Sequence, residues 1–201
     1  HAVISRDTPY FGRLAAAARA AGVRSFVSFG KHPQADVRME RVALLPDCCC
    51  VTAEVMGEKV SYKLSIPGEH MAVNSLAVLA AAKLMGADLA RAALALATAA
   101  PAKGRGVRER LAIGGGELLL IDESYNANPA SVAAALGLLG AAQPGRGGRR
   151  IAVLGDMLEL GEKSPELHAG LLEPMDAAKV DVLYAAGPLM ANLWARVTTA
   201  R

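Results

Sequence analysis

Apolar residues recur with two different periods along this chain, and the change of period marks its elements. Between Asp36 and Ile66 the spacing is that of strands, in three runs: Val37–Leu45, Cys50–Met56 and Lys59–Ile66. Gly57-Glu58 separates the last two as a tight turn, so this stretch predicts an antiparallel patch. Ala2–Ile4 predicts a short strand before it. Thr8-Pro9 opens a helix that runs through Ala21 and stops at Gly22, because proline suits a first helical turn and glycine a helix end. Arg24–Phe29 is the next strand, giving a β-α-β opening. Past Ile66 the apolar positions predict a long helix, His70 to Met85, closed by Gly86. A second helix, Leu89 to Ala99, ends before Pro101.

A basic, glycine-rich link follows, Ala102-Lys103-Gly104-Arg105-Gly106-Val107-Arg108, and places a domain boundary between residues 1–102 and 103–201. Linkers of this composition separate compact units. Beyond it strands and helices alternate. Glu117–Ile121 is a strand, Pro129–Leu139 a helix and Gln143–Gly148 a loop. Ile151–Leu154 is a strand, Pro165–Ala178 a helix, Val180–Ala185 a strand and Leu189–Val197 a last helix. A β-α repeat predicts a mostly parallel sheet with right-handed crossovers, so the fold class is α/β.

Composition narrows the function classes. With 53% hydrophobic residues the chain has material for a core, and a formal charge of +3 is too small to argue for nucleic acid. No apolar run reaches the ~18 residues a membrane helix needs. The three cysteines are consecutive, Cys48-Cys49-Cys50, a spacing that suits neither a usual metal site nor a disulfide framework and fits a reduced, cytosolic protein. No metal ligand set is expected in this chain. The chain opens on His1, its first apolar run follows at once, and Trp194–Arg201 carries no helix stop signal. Both ends read as cuts within a domain.

Candidate chemistry concentrates between Glu117 and Leu139. There a strand ends on Asp122-Glu123, and a polar turn, Ser124-Tyr125-Asn126-Ala127-Asn128-Pro129, leads into a helix. Strand tips that feed helix N-termini are where α/β proteins bind ligands, and anions are favoured there. Asp156 ends the next strand in the same way. Tyr125, Asn126, Asn128 and Ser131 offer uncharged hydrogen bonds suited to a peptide or zwitterion, although Asn128 and Ser131 also have the form of a helix cap. Arg105, flanked by glycines, is placed to clamp a phosphate with its forked guanidinium, or else is a solvated linker charge. His70 and Asn74, four apart, share one helix face near its start, as a nucleotide contact or as ordinary surface polar residues. His168 falls on a helix, as a ligand contact or a bystander. The chain contains no G-x-x-x-x-G-K-[ST] phosphate loop, no G-x-G-x-x-G after a strand and no G-x-S-x-G elbow.

Asp122–Ser131, DESYNANPAS, and Val153–Gly161, VLGDMLELG, resemble the carboxyl-terminal domain of the Mur ligase family. Gly68–Ala77 is similar to that family's G-x-H-N-x-x-N-x-L-A helix. Gly104-Arg105-Gly106 is similar to its inter-domain arginine segment, and Ala2–Phe11 to the strand and turn that support adenine. Two positions depart from the pattern: Ser5 stands where the family has Asn, and Met71 where Asn is common.

The resemblance implies the latter part of a central P-loop-type ATPase domain, without its phosphate loop, followed by a Rossmann-like carboxyl-terminal domain. It implies an ATP-dependent amide ligase of peptidoglycan synthesis that uses Mg2+ and forms an acyl phosphate. The DESYNANPAS and VLGDMLELG segments favour the member that joins D-alanyl-D-alanine to a UDP-N-acetylmuramoyl-tripeptide. By position, Asp7, His70 and Asn74 would serve the nucleotide, with Arg105 and Asp122 reaching it when the domains close. Tyr125, Asn126, Asn128, Ser131, Asp156 and His168 would receive the dipeptide. A bacterial, cytoplasmic monomer is the corresponding expectation, with the phosphate loop, metal ligands and UDP-binding domain outside these 201 residues, which alone would not turn over. Two other readings stay open: a non-catalytic α/β binding module derived from such a ligase, and a sister ligase with another amine acceptor.

Overall fold

The computed structural model describes residues 1–200, with side chains described through Val197; Arg201, where the sequence reading puts a cut end, lies outside the described residues. The chain divides into two compact units, His1–Ala100 and Pro101–Arg201.

The first unit is built on a five-stranded sheet in the order β1-β2-β3-β4-β5. The strands are β1 (Ala2–Ser5), β2 (Phe26–Gly30), β3 (Val37–Leu44), β4 (Cys49–Val55) and β5 (Glu58–Leu64). The first three run parallel, and the last two extend the sheet antiparallel. In β4, Cys49, Val51, Ala53 and Val55 are buried while the residues between them are not, the period-two pattern of a strand covered on one face. Cys48 is half-buried and Cys50 exposed, so the triplet is spread by the pleat. The covering element is α2 (Glu69–Leu84), whose Ala72, Leu76, Leu79 and Ala80 have no exposed surface. Its small residues let helix and sheet approach closely. Ser75, also on that face, meets the Tyr62 hydroxyl at 2.6 Å, so this buried polar pair is satisfied.

Helix α1 (Phe11–Ala20) starts two residues later than Thr8-Pro9 predicts. The hydroxyl of Thr8 accepts from the Tyr10 N–H and its carbonyl from the Phe11 N–H, forming a turn before the helix. At the other end Gly22 adopts φ +75°, and the Val23 N–H reaches back to the Ala18 carbonyl, a Schellman closure. Met56-Gly57, both with positive φ, forms the β4–β5 turn, and Glu58 already pairs with Val55. Helix α3 (Leu89–Leu96), capped by Asp88, completes the unit and ends short of Ala99.

The second unit opens with an antiparallel hairpin, β6 (Val107–Ile113) and β7 (Gly116–Asp122), turning at Gly114-Gly115. Sequence reading misses β6. Charged residues occupy Arg108, Glu109 and Arg110 in succession, leaving no alternation to recognise. Helix α4 (Pro129–Ala141) follows, then β8 (Ile151–Gly155), which pairs in parallel with β9 (Val182–Ala186). Where one helix is predicted over 165–178 there are two, α5 (Ser164–Ala169) and α6 (Leu172–Ala177), preceded by one 3₁₀ turn at Gly161–Lys163. Pro174 lacks the N–H that would bond the Gly170 carbonyl, and its ring would clash there, so the helix breaks before Leu172. Helix α7 (Ala191–Ala200) ends the described chain. The core gathers Val132 and Leu136 of α4, Ala152 of β8, Leu171 and Met175 near α6, and Met157, Met190 and Leu193. Val153 and Tyr184, directly opposite in the β8–β9 register, stand 74% and 61% exposed on the other face.

Candidate active site

In the first unit, the end of β1, the loop after β2 and the start of α2 are linked. The carboxylate of Asp7 accepts from the backbone N–H of Lys31 at 2.8 and 3.0 Å and of His32 at 2.9 Å. Gly30 makes room for it: at φ +148°, a Cβ there would lie 2.5 Å from the carboxylate oxygens. The Lys31 ammonium then reaches Glu69, the first residue of α2, at 3.1 Å. His70 is half-buried in that first turn, and burial pushes its pKa down. Asn74 follows on an exposed position one turn later. Asp7, expected as a nucleotide contact, therefore spends both carboxylate oxygens on the backbone of its own unit.

In the second unit, the tip of β7 assembles a tighter cluster. The expected link is not loose here. The Gly106 N–H donates to the Asp122 carbonyl at 2.9 Å, and the Tyr125 N–H to the Gly104 carbonyl at 3.1 Å. Both glycines have positive φ, and a Cβ on Gly104 would lie 2.9 Å from the Tyr125 nitrogen. Only glycine fits so close to the loop. Between them Arg105 stacks its guanidinium over the Tyr125 ring, 4.2 Å from the centroid. Arg105, Asp122 and Tyr125 are thus brought together at the tip of β7.

Two adjacent carboxyls at this tip are pushed in opposite directions. Hydrogen bonds from the Ser124 hydroxyl and N–H hold Asp122 below the usual carboxylate range, with Lys103 adding to this. Burial raises Glu123, as does the neighbouring Asp122, while Arg105 and Arg108 pull it back down. Such opposed shifts are typical of working sites. Glu123 was not among the sequence candidates. Its only signal was its place beside Asp122 at the strand end.

Asn128 and Ser131 form a reciprocal capping box at the start of α4, each at 2.9 Å. Those atoms are committed to the helix, as the cap reading of the sequence anticipates. The Asn126 side-chain oxygen accepts from the Ala127 N–H at 2.9 Å, leaving its amide group exposed. Asp156, at the end of β8, accepts from the N–H groups of Leu189 at 3.2 Å and Met190 at 2.9 Å, just before α7. A carboxylate there suits the positive end of a helix.

His168 corrects the sequence expectation. It is 0% exposed, its Nε2 accepts the Met157 N–H at 2.9 Å, and its Nδ1 lies 2.7 Å from the Ser164 carbonyl. That pairing assigns the proton to Nδ1 and leaves no ring atom for a dipeptide. The residue ties the loop after β8 to α5.

Comparison with known proteins accounts for both units. Residues 1–82 match the Mur ligase middle domain, and residues 109–200 match the Mur ligase, glutamate ligase domain. This chain belongs to the Mur ligase family. Among curated relatives, the UDP-N-acetylmuramoyl-tripeptide–D-alanyl-D-alanine ligase of Escherichia coli (strain K12) is 38% identical over 128 residues, covering 64% of this chain and 27% of the relative. A crystal structure of MurF from Acinetobacter baumannii superposes with a TM-score of 0.78 at 27% identity, covering 96% of this chain and 40% of that one. The MurF ligase of Thermotoga maritima, solved in complex with ADP, has the same fold, with a TM-score of 0.68 at 20% identity over 98% of this chain and 52% of that one. The chain thus spans about a quarter of the length of the first curated relatives it matches. Within the Mur ligase family frame, the β7 tip of the glutamate ligase domain and the α2 start of the middle domain are the candidate site regions.

Proposed function

We propose that this chain is part of an ATP-dependent ligase that joins D-alanyl-D-alanine to a UDP-N-acetylmuramoyl-tripeptide, in the synthesis of peptidoglycan precursors in the bacterial cytoplasm. The observation that carries the reading is the β7 tip. Arg105, Asp122 and Tyr125 are held together there by the glycine-bounded segment, in a chain whose two units match the two Mur ligase domains.

In this reading the terminal carboxylate of the tripeptide attacks the γ-phosphorus of ATP, giving an acyl phosphate and ADP. The dipeptide amine then attacks the acyl carbon, the amide forms, and inorganic phosphate leaves with the C–O bond electrons. Arg105 presents its forked N–H donors to the phosphates and offsets their charge. Asp122, kept ionised by Ser124, accepts from nucleotide hydroxyls. His70 and Asn74 are the proposed nucleotide contacts of the middle domain. The Tyr125 hydroxyl and the exposed Asn126 amide are the groups that would meet the dipeptide. Mg2+ would supply charge neutralisation on the phosphates. Among the described residues no group of three or more His, Cys, Asp or Glu side chains is arranged to hold a metal, so no residue of this chain is assigned to it.

The test is an assay of the complete protein that carries this chain. ADP release is expected only when ATP, the UDP-tripeptide and D-alanyl-D-alanine are all present, and Arg105→Ala is expected to lower kcat/KM by about 100-fold. Preference for a single amino acid over the dipeptide would instead assign a sister ligase. Binding of the dipeptide without any ADP formation would assign a non-catalytic module. The 201 residues alone, which contain no phosphate loop, are expected to give no turnover.

A further inference from the structure

The stacking of Arg105 on Tyr125 has a role of its own. A guanidinium lying over an aromatic ring engages it with its face, while its N–H donors stay in the plane and point outward. The ring therefore holds the arginine without consuming the edge that captures a phosphate. Both side chains leave from fixed points, because the Gly106 N–H to Asp122 carbonyl and Tyr125 N–H to Gly104 carbonyl bonds zip the two segments together. Tyr125 is 67% exposed, so its ring is not part of a core. Glu123 lies within electrostatic reach of Arg105.

We infer that Tyr125 is a positioning residue, whose ring holds the Arg105 guanidinium with its N–H edge presented to a polyphosphate before the nucleotide arrives. An arginine already stacked has lost part of the side-chain freedom that capture would otherwise remove, so binding is tighter for the same contacts. The inference rests on the reading of Arg105 as a phosphate clamp. It adds that the aromatic ring, not the phenol hydroxyl, is what that clamp needs.

The experiment uses the 201-residue chain and inorganic tripolyphosphate as the probe, followed by NMR of the Arg105 side chain. In the native chain and in Tyr125→Phe, the Arg105 Hδ and Hε signals are expected upfield, shifted by the ring current, with equal affinity for the probe. In Tyr125→Leu the shift is lost and the affinity falls about fivefold, the scale of an exposed cation–π contact. Arg105→Ala is expected to lose about tenfold or more. Since the Tyr125 contact with Gly104 is made by its backbone, the rest of the spectrum reports that Tyr125→Leu stays folded. Weakening by Arg105→Ala with no change in Tyr125→Leu overturns this inference and leaves the clamp standing. No binding by the native chain, or no effect of Arg105→Ala, overturns the clamp itself and the inference with it. Equal loss in Tyr125→Phe and Tyr125→Leu assigns the effect to the hydroxyl and overturns the role of the ring.

Discussion

The carboxylate of Asp156 occupies the space that a side chain at Gly187 would need. A Cβ on Gly187 would lie 2.5 Å from both Asp156 carboxylate oxygens, and the glycine sits at φ +107°. Asp7 and Gly30 stand in the same relation in the other unit. In each case an acid at the end of one parallel strand accepts the N–H groups of the loop that follows its neighbour.

Gly187→Ala is therefore expected to destabilise the second unit by about 3 kcal/mol, from left-handed backbone strain plus displacement of the carboxylate. Urea unfolding followed by far-UV circular dichroism measures it. A midpoint equal to that of the native chain would refute the arrangement.

Two glycines three residues apart in α4 should respond with opposite sign. Gly137 meets nothing within 4 Å of an added Cβ, so Gly137→Ala gains about 0.5–1 kcal/mol from helix propensity. At Gly140 the added Cβ would lie 3.0 Å from the Ala178 Cα, backbone that cannot swing aside. Gly140→Ala is expected to lose about 1–2 kcal/mol as the helices are forced apart. Thermal melts of the two variants side by side decide the matter.

His168→Ala should act on folding. It leaves the Met157 N–H buried without an acceptor and opens a cavity, for a loss of about 3 kcal/mol. A substrate-contacting histidine would behave otherwise, with the melting temperature kept and the dipeptide KM raised in the complete protein.

Tyr62 predicts a stability change at alkaline pH. Burial pushes its pKa up from 10.0 to about 12, against the Ser75 hydrogen bond that pulls it down. The neutral phenol is the form the fold favours, so its contribution is complete below pH 10. Between pH 10 and 12 the unfolded chain gives up the proton and the folded one keeps it, and stability falls by about 2–3 kcal/mol. In Tyr62→Phe that part of the slope should vanish. Identical pH profiles for the two proteins would contradict the burial.

The sequence made most of the local structure readable where one residue decides it. Asn128 and Pro129 announce α4, Gly22 and Gly86 close their helices, and the alternation of β4 follows from its one-sided burial. The strand β6 was hidden because both its faces carry charge or stand exposed. The break before Leu172 was signalled by Pro174 but masked by continuous apolar spacing. The site was half legible. The β7 tip stood out by its crowding of polar groups, yet the acids Asp7 and Asp156 look alike in sequence whether they face a ligand or a neighbouring loop. That choice depends on which backbone N–H groups the topology brings alongside, and only the pairing of β1 with β2 and of β8 with β9 reveals it.

The exposed Val153–Tyr184 pair gives this chain a colloidal personality distinct from its folding stability. Each strand of the β8–β9 pair has an edge left unpaired among the described residues, beside an apolar face, and such surfaces stick to one another. Light scattering should therefore climb with concentration while the melting temperature stays fixed, so that solubility sets the working limit of the isolated chain.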